Sequence, residues 1–175
     1  MDFLWSPWRY RYVTGQEPTK PGKRAADGSD ATGCIFCDKL ADSNDEANLI
    51  LHRGARAFAL LNLYPYCSGH VMIAPNAHVG SLGATDDATW AEIATLAKRV
   101  EAAIQTAYHP DGVNLGMNLG ASAGAGIADH IHMHILPRWV ADANFVSVIG
   151  ETRVLPEALD VTWERIRKAF AVDDV

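Results

Sequence analysis

Only three cysteines occur in 175 residues, Cys34, Cys37 and Cys67. An odd count, with no export signal ahead of it, argues against a disulfide framework and leaves the close pair Cys34 and Cys37 to be explained otherwise. Long apolar runs are missing too. No stretch of about 18 apolar residues exists, so no membrane-spanning helix and no membrane partner are expected. Met1-Asp2-Phe3-Leu4-Trp5 lacks a basic stretch followed by an apolar core. It does not read as a signal peptide, and the expected location is cytoplasmic. Excess positive charge is also absent. The formal net charge is -6, whereas a nucleic-acid binder draws most of its affinity from neutralising phosphates with basic residues. No nucleic-acid partner is expected, and any anionic ligand must be held by a local site.

What is present suits one globular domain, long enough to hide roughly 70% of its unfolded surface. Residues 1–15 are aromatic and basic (Trp5, Trp8, Arg9, Tyr10, Arg11, Tyr12). They read as a segment packed on the domain, or as a lip over a ligand site or a dimer contact. Residues up to 33 are rich in Pro, Gly, Lys, Asp and Ser and read as a mobile loop. The domain proper is expected over residues 34–175. Ala55 to Leu63 is apolar at nearly every position and predicts a buried strand. A turn over residues 64–69 leads to a second strand, His70 to Pro75, and the two predict a hairpin. Trp90, Ile93, Ala94, Leu96, Ala97, Val100 and Ile104 recur at helical spacing, with Thr85 or Asp86 as cap and Pro110 beyond the end. Val113 to Leu119 predicts a third strand, Ile131 to Pro137 a fourth, and Pro156 to Ala171 a terminal helix. Hairpin-joined strands with segregated helices give an α+β class.

The segment from Asp129 to Arg138 alternates strictly. On a strand, Ile131, Met133 and Ile135 share one face while His130, His132 and His134 share the other, roughly 6.5–7 Å apart. Three such rings admit a solvated face, a metal site made from two or three imidazoles, or a nucleophilic histidine with helpers that attacks phosphorus and splits one hard step into two. The loop just before favours the third. Gly120, Gly124 and Gly126 leave backbone amides open to a close ligand, and concave runs of amides bind phosphate.

His130-Ile131-His132-Met133-His134-Ile135-Leu136 resembles the histidine triad (HIT) pattern, His-x-His-x-His followed by two apolar residues. Leu60-Leu61-Asn62, Gly69-His70, Pro75 and His78 are similar to that family's first half, and Asn118 with the glycine-rich loop extends the likeness over about residues 34–145. Pro137-Arg138-Trp139 with Asp142, Asn144 and Phe145 resembles a bacterial subgroup similar to diadenosine tetraphosphate phosphorylases and dinucleoside polyphosphate hydrolases. The resemblance implies a HIT-like fold, an antiparallel sheet with a long helix and a C-terminal helix. It implies an enzyme, a homodimer, and a nucleotide substrate such as a dinucleoside polyphosphate or an AMP conjugate. It gives His132 as the nucleophile toward an α-phosphate, His134 as a contact to the same phosphate, and His70 as a support. Asn62 falls near the ribose and Asn118 near the phosphates, with amides at Gly124, Ala125 and Gly126 meeting the developing charge. Arg138 reads equally as a surface cation or as a phosphate contact, since a guanidinium suits planar phosphate contacts. The loop departs from the family pattern, with Ala125 and Gly126 where many members carry Gln-Ser and one residue more before the triad; Ser122 is a candidate substitute. Competing readings are a phosphoramidate hydrolase, a hydrolase with zinc at the triad, and a non-enzymatic nucleotide-binding module.

Cys34-Ile35-Phe36-Cys37 has the gap of a zinc knuckle, but the pair alone also fits two buried thiols or a redox couple. A closed zinc site needs two more ligands, and the resemblance implies His78 and His130. Cys67 reads as a packing residue, and His52 and His109 as surface histidines.

Overall fold

The computed structural model describes residues 33–142 and 157–172. The expectations for residues 1–32 and for Asn144 and Phe145 lie outside the described residues. The elements run α1 (Ile35–Ala41), β1 (Ile50–Arg53), β2 (Ala57–Leu61), β3 (Val71–Pro75), α2 (Asp87–Tyr108), β4 (Gly112–Met117), β5 (Met133–Arg138) and α3 (Leu159–Val172). The strands form one antiparallel sheet in the order β1-β2-β3-β5-β4.

The uninterrupted apolar run of β2 is explained by cover on both faces of the sheet. Ala57, Ala59 and Leu61 join Val71, Ile73 and Ile135 in a core against α2 and α3, with Ile93, Val100, Ile104, Ile166 and Phe170. Phe58, Leu60 and Met72 point the other way, toward Cys34 and Phe36 at the start of α1. The predicted hairpin is present, with Ala57 opposite Pro75 and Leu61 opposite Val71. Asp86 caps α2 by accepting from the Thr89 amide at 2.7 Å, and His109 closes it in the left-handed region at φ 45°.

The expected apolar face of α2 is shifted. Trp90 is exposed, as is Ala94, and Thr89 and Ala103 are buried in their place. A helical stripe read from hydrophobicity alone cannot tell a large ring at its edge from one at its centre. Two elements were not expected, α1 and β1. The seven residues of α1 are too few to give a clear helical period, and β1 has only four residues. Arg53 of β1 fastens α1 by donating to the carbonyls of Leu40 and Asp42 and pairing with Asp45 at 2.7 Å.

Candidate functional site

The triad strand is regular only from Met133 onward; His130 and His132 lie on the extended chain just before it. All three rings are buried. Met72 pairs with His134 in the sheet, so His134 faces the α1 side. There α1, the end of β2 and the turn after it enclose a cavity of about 360 Å³, lined by Phe36, Lys39, Asn62, Tyr66, His132 and His134 among others. That volume suits a small ligand.

Backbone groups, whose donor or acceptor character is fixed, set the tautomer of each ring. His132 Nδ1 lies 2.9 Å from the His130 carbonyl oxygen. A carbonyl only accepts, so Nδ1 carries the proton and Nε2 keeps its lone pair. The Tyr66 amide donates to His70 Nδ1 at 3.1 Å. His70 Nδ1 is therefore unprotonated, and His70 Nε2–H donates to His134 Nδ1 at 2.9 Å. His134 then carries its proton on Nε2. Two adjacent rings, 4.9 Å apart and nearly perpendicular, thus hold opposite tautomers: His132 offers a lone pair and His134 a proton. Burial pushes both imidazoles toward the neutral form. His134 is driven down to about 4 by desolvation first and by His132 second; His132 is lowered by desolvation, which its bond to the His130 carbonyl opposes.

A second cluster lies behind the first. His130 Nε2–H donates to the Pro75 carbonyl at 2.9 Å, which leaves Nδ1 as a lone pair. That nitrogen is 3.3 Å from Cys34 Sγ and 3.6 Å from Cys37 Sγ. His78 Nδ1 is 3.4 Å from Cys37 Sγ, and all four ligand atoms lie within 4.8 Å of one another. Tetrahedral zinc, with bonds of about 2.0–2.3 Å, sets its ligand atoms roughly 3.3–3.8 Å apart. The donor set therefore fits such an ion. His132 and His134 stand outside this group of donors.

Other expected contacts are distributed unevenly. Asn62 lines the cavity, approaches His70 Nδ1 through Nδ2 at 3.3 Å and accepts from the Tyr64 amide. Gly124 and Gly126 also line it. The amides of Gly124 and Ala125 are committed to the carbonyls of Ala121 and Gly120. Of the three amides assigned to phosphate, Gly126 alone carries no protein bond among the described residues, because the preceding 3-10 turn (Ala121–Ala123) folds the loop onto itself. Ser122 is exposed, and it, Ala125 and Asn118 do not line the cavity. Arg138 is held in a two-pronged pair by Asp142 at 2.6 and 2.7 Å and donates to Asn114 at 2.7 Å, away from the cavity. Cys67 packs, with Sγ 3.5 Å from the Pro137 carbonyl. His109 is exposed, but His52 is half-buried against the Phe170 ring. Sequence reasoning missed Ile35, Phe36, Lys39 and Tyr66 as cavity walls. Phe36 touches the rings of both His130 and His132, and the Tyr66 ring covers His70 and His134.

A family model described as "HIT domain" matches residues 43–140. The chain is 37% identical over 168 residues, 96% of its length and 84% of the relative's, to a protein of Mycobacterium tuberculosis named AP-4-A phosphorylase. It is 31% identical over 105 residues to adenosine 5'-monophosphoramidase hnt1 of Schizosaccharomyces pombe, covering 60% of this chain and 74% of that one. Among solved structures, a Zn-bound histidine triad family protein from Mycobacterium smegmatis superposes with a TM-score of 0.66 at 25% identity, covering 82% of this chain and 96% of that one. A histidine triad nucleotide-binding protein from Sulfolobus tokodaii gives 0.62 at 28% identity, covering 79% and 93%.

Proposed function

The chain belongs to the histidine triad (HIT) family and is an enzyme of it; from that premise we propose that it cleaves dinucleoside tetraphosphates, diadenosine tetraphosphate among them, by phosphorolysis through a nucleotidyl-histidine. The observation that carries this reading is the pair of opposite tautomers on His132 and His134. The His132 Nε2 lone pair attacks the α-phosphorus of the nucleotide in the cavity. The bond from that phosphorus to its bridging oxygen breaks, and the nucleoside triphosphate leaves with the electron pair. His134 Nε2–H donates to the α-phosphoryl oxygens, where charge gathers, and Gly126, which lines the same cavity, offers its amide. An oxygen of inorganic phosphate then attacks the same phosphorus from the solvent side and releases His132. For diadenosine tetraphosphate the products are ATP and ADP. His70 is the positioning residue that keeps the His134 proton on Nε2, and Asn62 stands at the ribose.

Cys34, Cys37, His78 and His130 are proposed to hold a structural zinc ion, on the strength of their spacing. The metal would fasten the start of α1 to the triad segment. A homodimer is proposed through the β4 edge of the sheet. β4 is an edge strand, and Leu115 on it is half exposed, a feature that invites pairing. No described helix is long and apolar enough to cross a membrane.

The test is product analysis on diadenosine tetraphosphate with and without inorganic phosphate. ADP with ATP, formed only when phosphate is present, is expected. AMP with ATP in either buffer would replace phosphate by water as acceptor. No turnover, with release of AMP from an adenosine phosphoramidate instead, would move the assignment to the activity named for the S. pombe relative.

A further inference from the structure

The walls of the cavity are mostly apolar away from the histidines, and the lysine side chain of Lys39 is part of them. Ile35, Phe36 and Lys39 of α1 line it together with Leu60, Met72 and Ile127. Phe36 lies against His132, with ring centroids 4.9 Å apart. Lys39 is nearly one helical turn further on, at the end of α1 that Arg53 ties to β1. His134 comes from β5 and His132 from the chain just before it; β5 lies three places from β1 across the sheet, and each place is about 4.8 Å. Lys39 holds its ammonium on the carbonyl of Asn48, just ahead of β1, and so stands toward the β1 side of the cavity, whereas His134 stands on β5.

Lys39 is half-buried, and its ammonium donates to the Asn48 carbonyl at 2.9 Å. No carboxylate pairs with it among the described residues. Desolvation lowers its pKa. An ammonium has three N–H donors and no acceptor, so two donors remain for a ligand. A poorly hydrated cation without a counter-ion is costly to keep unless something accepts from it. A planar base filling the apolar cavity, with its phosphate at His132, brings its far edge to this ammonium.

We propose that Lys39 makes the cavity selective for a 6-oxopurine nucleotide, with the ammonium donating to O6 and N7 of guanine or hypoxanthine. Those atoms are adjacent acceptors, the edge that lysine recognises in nucleic acids. Adenine sets an N6 amino donor beside N7 and would oppose donor to donor. The inference rests on the reading that the nucleoside half transferred to His132 occupies this cavity, and it names that half as guanosine.

Binding is measured by titration calorimetry on the full chain with IMP and AMP, which differ only around position 6. IMP is expected to bind about tenfold more tightly, the discrimination of one good paired contact. Lys39→Met should level the two, and Lys39→Gln should move preference toward AMP, because a glutamine amide complements N6 and N7. Equal affinities in the wild type, or a preference that survives Lys39→Met, overturns the proposal. A second arm uses adenosine–guanosine tetraphosphate with phosphate. GDP and ATP are expected; ADP and GTP would place adenosine in the cavity and overturn it. Intact IMP preference without any cleavage would refute the phosphorolysis reading and leave the role of Lys39 standing.

Discussion

Replacing His70 is the sharpest test of the tautomer argument. The ring is buried, accepts from the Tyr66 amide and donates to His134 Nδ1. In His70→Ala the Tyr66 amide and His134 Nδ1 lose their partners, as does the weaker contact from Asn62 Nδ2, and a ring-sized void opens beneath Tyr66. One stranded buried group costs about 1–3 kcal/mol, and the half-exposed Tyr66 recovers part of its loss from water. A destabilisation of about 2–4 kcal/mol follows, or roughly 5–15 °C in Tm for a domain of this size. The loss of activity has a separate origin. Without the His70 donor, His134 is free to carry its proton on Nδ1 and turn a lone pair to the phosphate. Losing one such donor costs about 10²–10³ in kcat. His70→Gln separates the two effects, since its carbonyl can accept from Tyr66 while its amide donates to His134. The assay is phosphorolysis of diadenosine tetraphosphate at pH 7.5, beside thermal melts of each variant. The expected order of kcat is wild type, then Gln, then Ala, with KM changing little. Alanine and glutamine variants of equal kcat, or an alanine variant within twofold of wild type, would refute the relay.

His132→Ala should lose at least about a thousandfold in kcat, as nucleophile removal does elsewhere, while its melting temperature stays within a few degrees; mass spectrometry of wild type quenched rapidly in alkali, where a P–N bond survives, should find the nucleotidyl adduct that the variant lacks. Zinc analysis of purified protein should give about one ion per chain, and Cys37→Ser or strong chelation should remove it and lower Tm by several degrees, because site assembly and folding are coupled; metal-free protein with the same Tm contradicts the site. Acid should destabilise the fold through His134, which is held near 4 when folded against about 6.5 when unfolded. Between those values the unfolded chain binds the extra proton, so stability is complete above about 6.5 and is lost as pH falls toward 4; urea midpoints across that window should fall less steeply in His134→Gln, and parallel slopes would refute the assignment. Leu115→Lys at the β4 edge should convert a dimer to a monomer by light scattering, and a wild type already monomeric would refute the edge pairing.

The sequence made the site's chemistry legible where chemistry follows period. Alternation from His130 to Ile135 separated Ile131 and Ile135 of the core from the histidines, and both His132 and His134 do face the cavity. The hairpin was readable because β2 and β3 are apolar and bounded by turn residues. What stayed hidden depends on tertiary placement. Trp90 matches the helical stripe of α2 yet lies outside the contact with the sheet. Lys39 reads as an ordinary charged helix residue until α1 is laid over the sheet. The amides of Gly124 and Ala125 look free in a glycine-rich loop, yet in the fold they are spent on the carbonyls of Ala121 and Gly120 around a 3-10 turn. Arg138 has the right chemistry for phosphate, but Asp142, four residues on, claims its guanidinium.

The division of labour at His130 links the two clusters. Its ring Nδ1 belongs to the Cys34–Cys37–His78 group, its Nε2–H is fixed by Pro75, and its carbonyl fixes the proton of His132. Three constraints on one residue set both where His132 sits and which of its ring nitrogens is bare. The Ile131 amide, bonded to Val79 at 2.8 Å, adds a fourth from the segment that carries His78. The same cysteines open α1, a helix too short to persist unaided, and α1 supplies Phe36 against His132 and Lys39 toward the β1 side of the cavity. Loosening the four-residue cluster would therefore act twice. It would free the carbonyl that orients His132, the proposed nucleophile, and it would release the wall proposed to receive the base. A kcat effect and a binding effect should then appear together in any variant of Cys34, Cys37 or His78, although none of these residues touches the cavity.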